Sequence, residues 1–279
     1  FKGQEVEGYN ILAGSLEADK IFAVGDKALV VVHFDDETIL SVNMIDHMRL
    51  GKEAVLAGIF AGLLFLVAGW TGLRAILSFV LTVLMLWKVL VPCYLSGLSP
   101  VPVGLIVTLG LVIMTISLVY GFERRALAAI SGSALGLTVT ALAGIVSTKW
   151  LLIHGAVMSY SESLLYSGYQ HLNLTQIFMA SIFIGSSGAL MDLAVDITSA
   201  VQEVVEKKPD ISRREAVCSG LHVGRAAMGT MTTTLLLAYS GGYIALLMVF
   251  MAQGTPVWNI LNYKYVASEI IDTIVGSFG

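Results

Sequence analysis

Two carboxylates placed four residues apart in an otherwise apolar stretch are the sharpest chemical feature of this chain. They lie in Gly185-Ser-Ser-Gly-Ala-Leu-Met-Asp192-Leu-Ala-Val-Asp196. On a helix, Asp192 and Asp196 share one face, with Cβ atoms about 5–6 Å apart. Two charges about 6 Å apart at an effective dielectric near 20 repel by roughly 2–3 kcal/mol, which favours one proton shared between them. A carboxylate within a membrane span is costly and faces a bundle interior or a watered cavity. The pair is therefore a candidate site for a proton or a cation. The bland alternative is a helix already leaving the bilayer, with Asp196 hydrated at the interface.

A second constellation follows at Met228-Gly229-Thr230-Met-Thr-Thr233-Thr234. Thr230, Thr233 and Thr234 share a helix face, and their hydroxyls could coordinate an ion or bond a neighbouring helix. They are the expected partners of the Asp192 face, with packing as the competing role. Gly188 and Gly229 are read as close-approach positions on the two helices. Gly132 and Gly136, with Ala128, form a small-residue seam on another helix. Arg225 could pair with Asp196 or simply follow the charge bias of cytoplasmic connectors.

No catalytic residue is expected. An intramembrane aspartyl protease needs its carboxylates on separate helices, and no histidine at membrane depth could serve Ser186 or Ser187 as base. No glycine-rich phosphate loop appears, so no cofactor is expected. The histidines and the two cysteines, Cys93 and Cys218, fall into no metal-ligand pattern.

The elements that must hold these residues follow from composition. The chain has 279 residues, 56% hydrophobic and 13% charged, against roughly 25% charged for an ordinary soluble domain. Its charge of −4 and acidic N-terminal part argue against nucleic acid as a partner. Residues 1–47 hold Lys2, Lys20 and Lys27 against Glu5, Glu7, Glu17, Asp19, Asp26, Asp35, Asp36, Glu37 and Asp46. From Val55 on, long stretches carry almost no charge and read as membrane spans. The expected fold is mainly α: a polytopic bundle of about six to seven spans with a small N-terminal β-rich extracytoplasmic domain. That domain covers 1–48 and is expected to be incomplete; the helical domain covers 49–279. Phe1 at the start, and an apolar run cut short after Ile270, suggest that both ends of a longer protein are missing.

Within the head, Lys27–Phe34 and Thr38–Met44 read as strands flanking the turn Asp35-Asp36-Glu37, with another turn at Gly25-Asp26. Spans are expected at 53–70, 75–95, 102–121, 126–148, 174–197 and 229–252, with a seventh starting near Ala267. Residues 161–168 suit a short surface helix. Near 198–228 a cytoplasmic helical connector is expected, broken at Pro209 and restarted at Ser212-Arg-Arg-Glu215 with capping-box spacing. Arg74, Arg124, Arg125, Lys207, Lys208, Arg213, Arg214 and Arg225 fall on one side of this scheme, eight in all. Arg49, Lys52, Lys149 and Lys264 fall on the other, four in all. The excess puts the first set in the cytoplasm and the head outside.

The chain resembles the YibE/F-like family of bacterial membrane proteins. The resemblance rests on Gly3-Gln-Glu-Val-Glu-Gly-Tyr-Asn10, Val24-Gly-Asp26, Gly188-Ala-Leu-Met-Asp192, Met228-Gly-Thr-Met-Thr-Thr-Thr-Leu235 and Glu269-Ile-Ile-Asp-Thr-Ile-Val-Gly-Ser-Phe-Gly279. It implies a bacterial inner (plasma) membrane protein with an external N-terminal domain and a transport role. Thr233 stands where the family pattern suggests Asn, which departs from any role carried by an amide. Residues 184–279 are also similar in order and spacing to the core of resistance-nodulation-division transporters and the SecD/SecF pair. That similarity implies a proton-pathway role for Asp192 and, loosely, for Thr233. The expected function is a transport or export component, proton-coupled through Asp192. A membrane scaffold that binds a partner, and a channel, are the alternatives. The expected partners are the lipid bilayer and either a second copy or another membrane protein.

Overall fold

A computed structural model describes residues 3–15, 19–35 and 38–279. Phe1, Lys2, Glu17 and the Asp36-Glu37 part of the expected turn lie outside the described residues. The described chain is mostly helical with one two-stranded sheet. It divides into two units, Phe1–Leu73 and Arg74–Gly279.

In the first unit, β1 (Ala28–Asp35) pairs antiparallel with β2 (Thr38–His47). Both runs are rich in β-branched and large apolar residues, which favour a pleated strand. Two irregularities interrupt the register, and both extra residues, Leu40 and Ile45, sit on β2. The far edge of β2 is held by Tyr9, whose N–H donates to the Val42 carbonyl at 2.8 Å and whose carbonyl accepts from Met44 N–H at 2.9 Å. At the strand's end, Arg49 donates to Asp46 at 2.8 Å. That bond, together with the His47 N–H, holds the Asp46 carboxyl below its ordinary value.

Helix α1 (Leu50–Met85) runs on through a π turn at Leu86–Leu90 into α2 (Val91–Leu95). The sequence pattern places two spans here, and the structure joins them in one 46-residue helical stretch, broken at Gly69 with φ 53° and ψ −129°. Only glycine takes such a backbone without strain. The turn brings Gly72 against the Leu64 carbonyl, so the break falls where the pattern separates its first two spans.

In the second unit, α3 (Pro100–Tyr120) starts on a proline at its first position and ends at Gly121 with φ 76°, the usual asymmetry of helix ends. It is followed by α4 (Arg124–Trp150), a 3-10 turn at Gly155–Val157 and the short α5 (Ser161–Tyr166). Helix α6 (Leu174–Lys207) is the centre of the unit, packing on α3, α4, α7 and α10. Its Ile182 and Phe183 are fully buried, among Phe178 and Ile271 on one side and Leu137 and Ala180 on another.

Helix α6 ends at Lys207, before Pro209, and α7 (Arg213–Ser240) opens on a capping box. Glu215 N–H donates to Ser212 Oγ at 3.3 Å, and Ser212 N–H donates to Glu215 Oε2 at 3.0 Å. Replacing Ser212 by alanine leaves the Glu215 N–H without its acceptor, so Ser212→Ala is expected to lose about 1 kcal/mol of stability. Thermal unfolding of the purified chain measures it, and Ser212→Asp should restore most of the loss. A 3-10 turn at Gly241–Tyr243 leads into α8 (Ile244–Ala252), so the part of the connector after its break and the span expected at 229–252 form one 40-residue helical stretch, while the part before the break continues α6.

The last elements are α9 (Val257–Asn262) and α10 (Lys264–Gly276). With 13 residues, α10 is about 20 Å long, shorter than the ~30 Å hydrocarbon core. The described residues therefore hold five helices long and apolar enough to cross a membrane, where the sequence pattern suggested six to seven.

Candidate functional site

Asp192 and Asp196 lie on the outer side of the central helix. Between them in sequence, Val195 is buried against Val112 and Ile116 of α3 and Ala126 and Ala129 of α4. That contact fixes the rotation of α6 and turns both carboxylates toward the second half of α3. They open on a cavity of about 380 Å³ bounded by Thr115, Val119 and Tyr120 of α3 and by Met231 of α7. Gly188, one turn before Asp192, lines the same space.

The polar groups at this cavity are few. Tyr120 is within electrostatic reach of Asp196, Asp192 and Arg125. The Arg125 guanidinium lies over the Tyr120 ring, 5.7 Å from its centroid, and its Nε is 2.9 Å from Glu123 Oε2. Thr115 Oγ1 accepts a hydrogen bond from Ser78 at 3.1 Å. Among the described residues neither aspartate has an ion-pair partner. The arrangement offers two acids on one face, a phenol beside them, and a guanidinium whose charge is shared with Glu123. Such a set can hold and exchange a proton or a small cation. Among the described residues, no group of three His, Cys, Asp or Glu side chains is placed to hold a metal ion.

Helix α7 packs along α6, as the facing small residues suggest, but not through its threonines. A Cβ on Gly220 would meet Val201 at 2.8 Å, and one on Gly224 would meet Ile197 at 3.0 Å. Further along, the Tyr239 hydroxyl lies against Gly185. Thr230, Thr233 and Thr234 are exposed, and each hydroxyl donates to a carbonyl of its own helix: Ala227, Gly229 and Thr230 respectively. The structure does not bring them to the Asp192 cavity; Met231 stands there instead. Arg225 does not pair with Asp196. It lines a separate apolar groove with Leu193 and Ile197.

The glycine seam also differs from expectation. A Cβ on Gly136 would strike Leu190 at 2.6 Å, so the α4–α6 contact passes through Gly136. Gly132, Gly188 and Gly229 have nothing within 4 Å of a Cβ among the described residues. The contact face of α4 runs instead through Ser133, Gly136, Thr140 and Gly144, one residue round from Gly132.

A second acidic pair was missed by reading the sequence for function. Glu269 and Asp272 lie on one face of α10, beside Tyr239 and Tyr243. Tyr243 is hydrogen-bonded to Glu269. The Tyr239 hydroxyl, Glu269 Oε2 and Asp272 Oδ1 are buried without hydrogen-bond partners among the described residues. The available signal was the i, i+3 spacing of two acids in an apolar helix, but the tyrosines that meet them lie some thirty residues earlier.

A family model described as YibE/F-like protein matches residues 56–279. No curated protein and no solved structure matches the chain.

Proposed function

The chain belongs to the YibE/F-like family, and from that premise we propose that it is a transport or export component of the bacterial inner membrane, coupled to a proton or cation held at Asp192. The observation that carries the proposal is the acid pair on a span-length helix, open to a cavity and without a cationic partner among the described residues. Carboxylates are expensive in such helices, and a pair without a structural partner has no stabilising role to offset that cost. Asp192 loads its proton from one side of the membrane and releases it to the other as α6 shifts against α3 and α7. Its resemblance in order and spacing to resistance-nodulation-division cores agrees with this role.

The direct test uses liposomes holding the purified chain and an internal pH dye. An imposed pH step should produce internal acidification faster than in protein-free liposomes. Equal rates would remove the proton-coupled reading and leave a membrane scaffold as the better account.

This proposal includes an orientation: the β-rich head is extracytoplasmic, and residues 207–214 are cytoplasmic. It rests on the excess of basic residues on one side. Single cysteines at Val24 and Lys208, in a chain with Cys93 and Cys218 replaced by serine, report it. An impermeant maleimide applied to intact cells should label position 24 and leave position 208 unlabelled. The reverse pattern inverts the orientation.

A further inference from the structure

The outer edge of β1 has no strand partner among the described residues. Natural sheet edges are blunted by bulges, inward charges or prolines. Here both bulges are on β2, and β1 runs through Leu29-Val-Val-Val-His33 without interruption. Leu29, Val30 and Val31 are all exposed. A two-stranded sheet is marginal by itself, and a further strand on this edge would complete it.

The hydrogen-bonding direction of that edge can be derived. Val42 and Met44 turn their backbone groups toward Tyr9, so Asn43 between them turns toward its β1 partner, Val31. By alternation, Val30 and Val32 point their N–H and C=O groups outward. The charges at the ends of this segment are self-complementary. Lys27 stands just before the strand and Asp35 ends it, symmetrically about Val31. Among the described residues neither side chain is in an ion pair.

We propose that β1 pairs antiparallel with β1 of a second copy of this chain, centred on Val31. In that register Val30 and Val32 exchange backbone hydrogen bonds with Val32 and Val30 of the other copy. Lys27 falls opposite Asp35 of the other copy, twice by symmetry, as an isologous two-fold interface requires. Val31 meets its own counterpart in a non-hydrogen-bonded pair, the closer of the two antiparallel spacings, with Cα atoms about 4.5 Å apart.

Symmetric cysteines test this register in the full chain within native membranes. The background carries serine at Cys93 and Cys218. Val31→Cys should form a disulfide-linked dimer under mild oxidation at least about tenfold faster than Leu29→Cys, whose counterpart lies well beyond disulfide reach. Lys27→Asp should reduce the position-31 cross-link, and adding Asp35→Lys should restore it, because the swapped pair is again complementary. Equal cross-linking at 29 and 31, or no restoration by the double swap, overturns the register. Amide-exchange protection of Val30 and Val32 without any cross-link at 31 means that another segment or another protein occupies the edge, and also overturns the proposal.

Discussion

Asp192→Asn is expected to give a folded, membrane-inserted protein whose proton-driven activity falls to the level of protein-free liposomes. The amide is nearly isosteric with the carboxyl, and among the described residues Asp192 makes no ion pair whose loss would strand a partner. Its stability change should therefore stay within about 0.5 kcal/mol. Asp196→Asn should be milder. It removes a like charge worth roughly 2–3 kcal/mol of repulsion at an effective dielectric near 20, so activity persists with an altered pH dependence. A structural role predicts the opposite pattern, in which both variants lose yield or thermal stability together. Full gradient-dependent activity in a well-folded Asp192→Asn protein would exclude this aspartate as the coupling group.

The largest effect on folding is expected at Gly155. It lies in the 3-10 turn before α5, and a Cβ there would overlap the backbone of Leu174 and Thr175 at the start of α6. Backbone cannot yield as a flexible side chain can, and α6 is the helix on which the second unit is built. Gly155→Ala should therefore cost more than about 3 kcal/mol, or prevent folding. Gly132→Ala is the contrasting case. Among the described residues nothing lies within 4 Å of a Cβ at that position inside α4, so alanine should be neutral or stabilise by about 0.5–1 kcal/mol. Parallel thermal unfolding of the two variants in one detergent compares them directly. A mild Gly155→Ala would mean that the turn and α6 separate readily.

Local chemistry was legible in the sequence wherever it was local. Ser212 and Glu215 specify a capping box with their spacing alone, and the structure contains it. The β-branched runs around Val31 and Val42 form the expected hairpin. The short helix at Ser161 is present. What failed depended on a neighbour chosen by packing. A small-residue repeat identifies a face of α4 but cannot decide between Gly132 and Ser133 as its centre, since these differ by one helical step. Threonine spacing on α7 marks a polar stripe, yet each hydroxyl finds a carbonyl inside its own helix before any other helix is reached. Around Gly69 the sequence separates two spans, with Arg74 marking the connector, and the helix is broken at that glycine. Asp272 shares a polar cluster with Tyr239 only because α10 packs beside α7.

The four hydroxyls at Thr230, Thr232, Thr233 and Thr234 give α7 an unusual kind of surface. All donate to carbonyls at most one turn earlier on the same helix. A stretch that looks polar on paper therefore presents mainly methyl groups to whatever lies beside it. Among the described residues no hydrogen bond from these threonines crosses to another helix. Methyl surfaces slide or rotate past one another at the cost of van der Waals repacking alone. Extra bonding to the helix's own carbonyls also softens the ladder and promotes bending. Beside the Asp192 cavity, such a segment gives α7 an apolar, deformable face in place of a polar one.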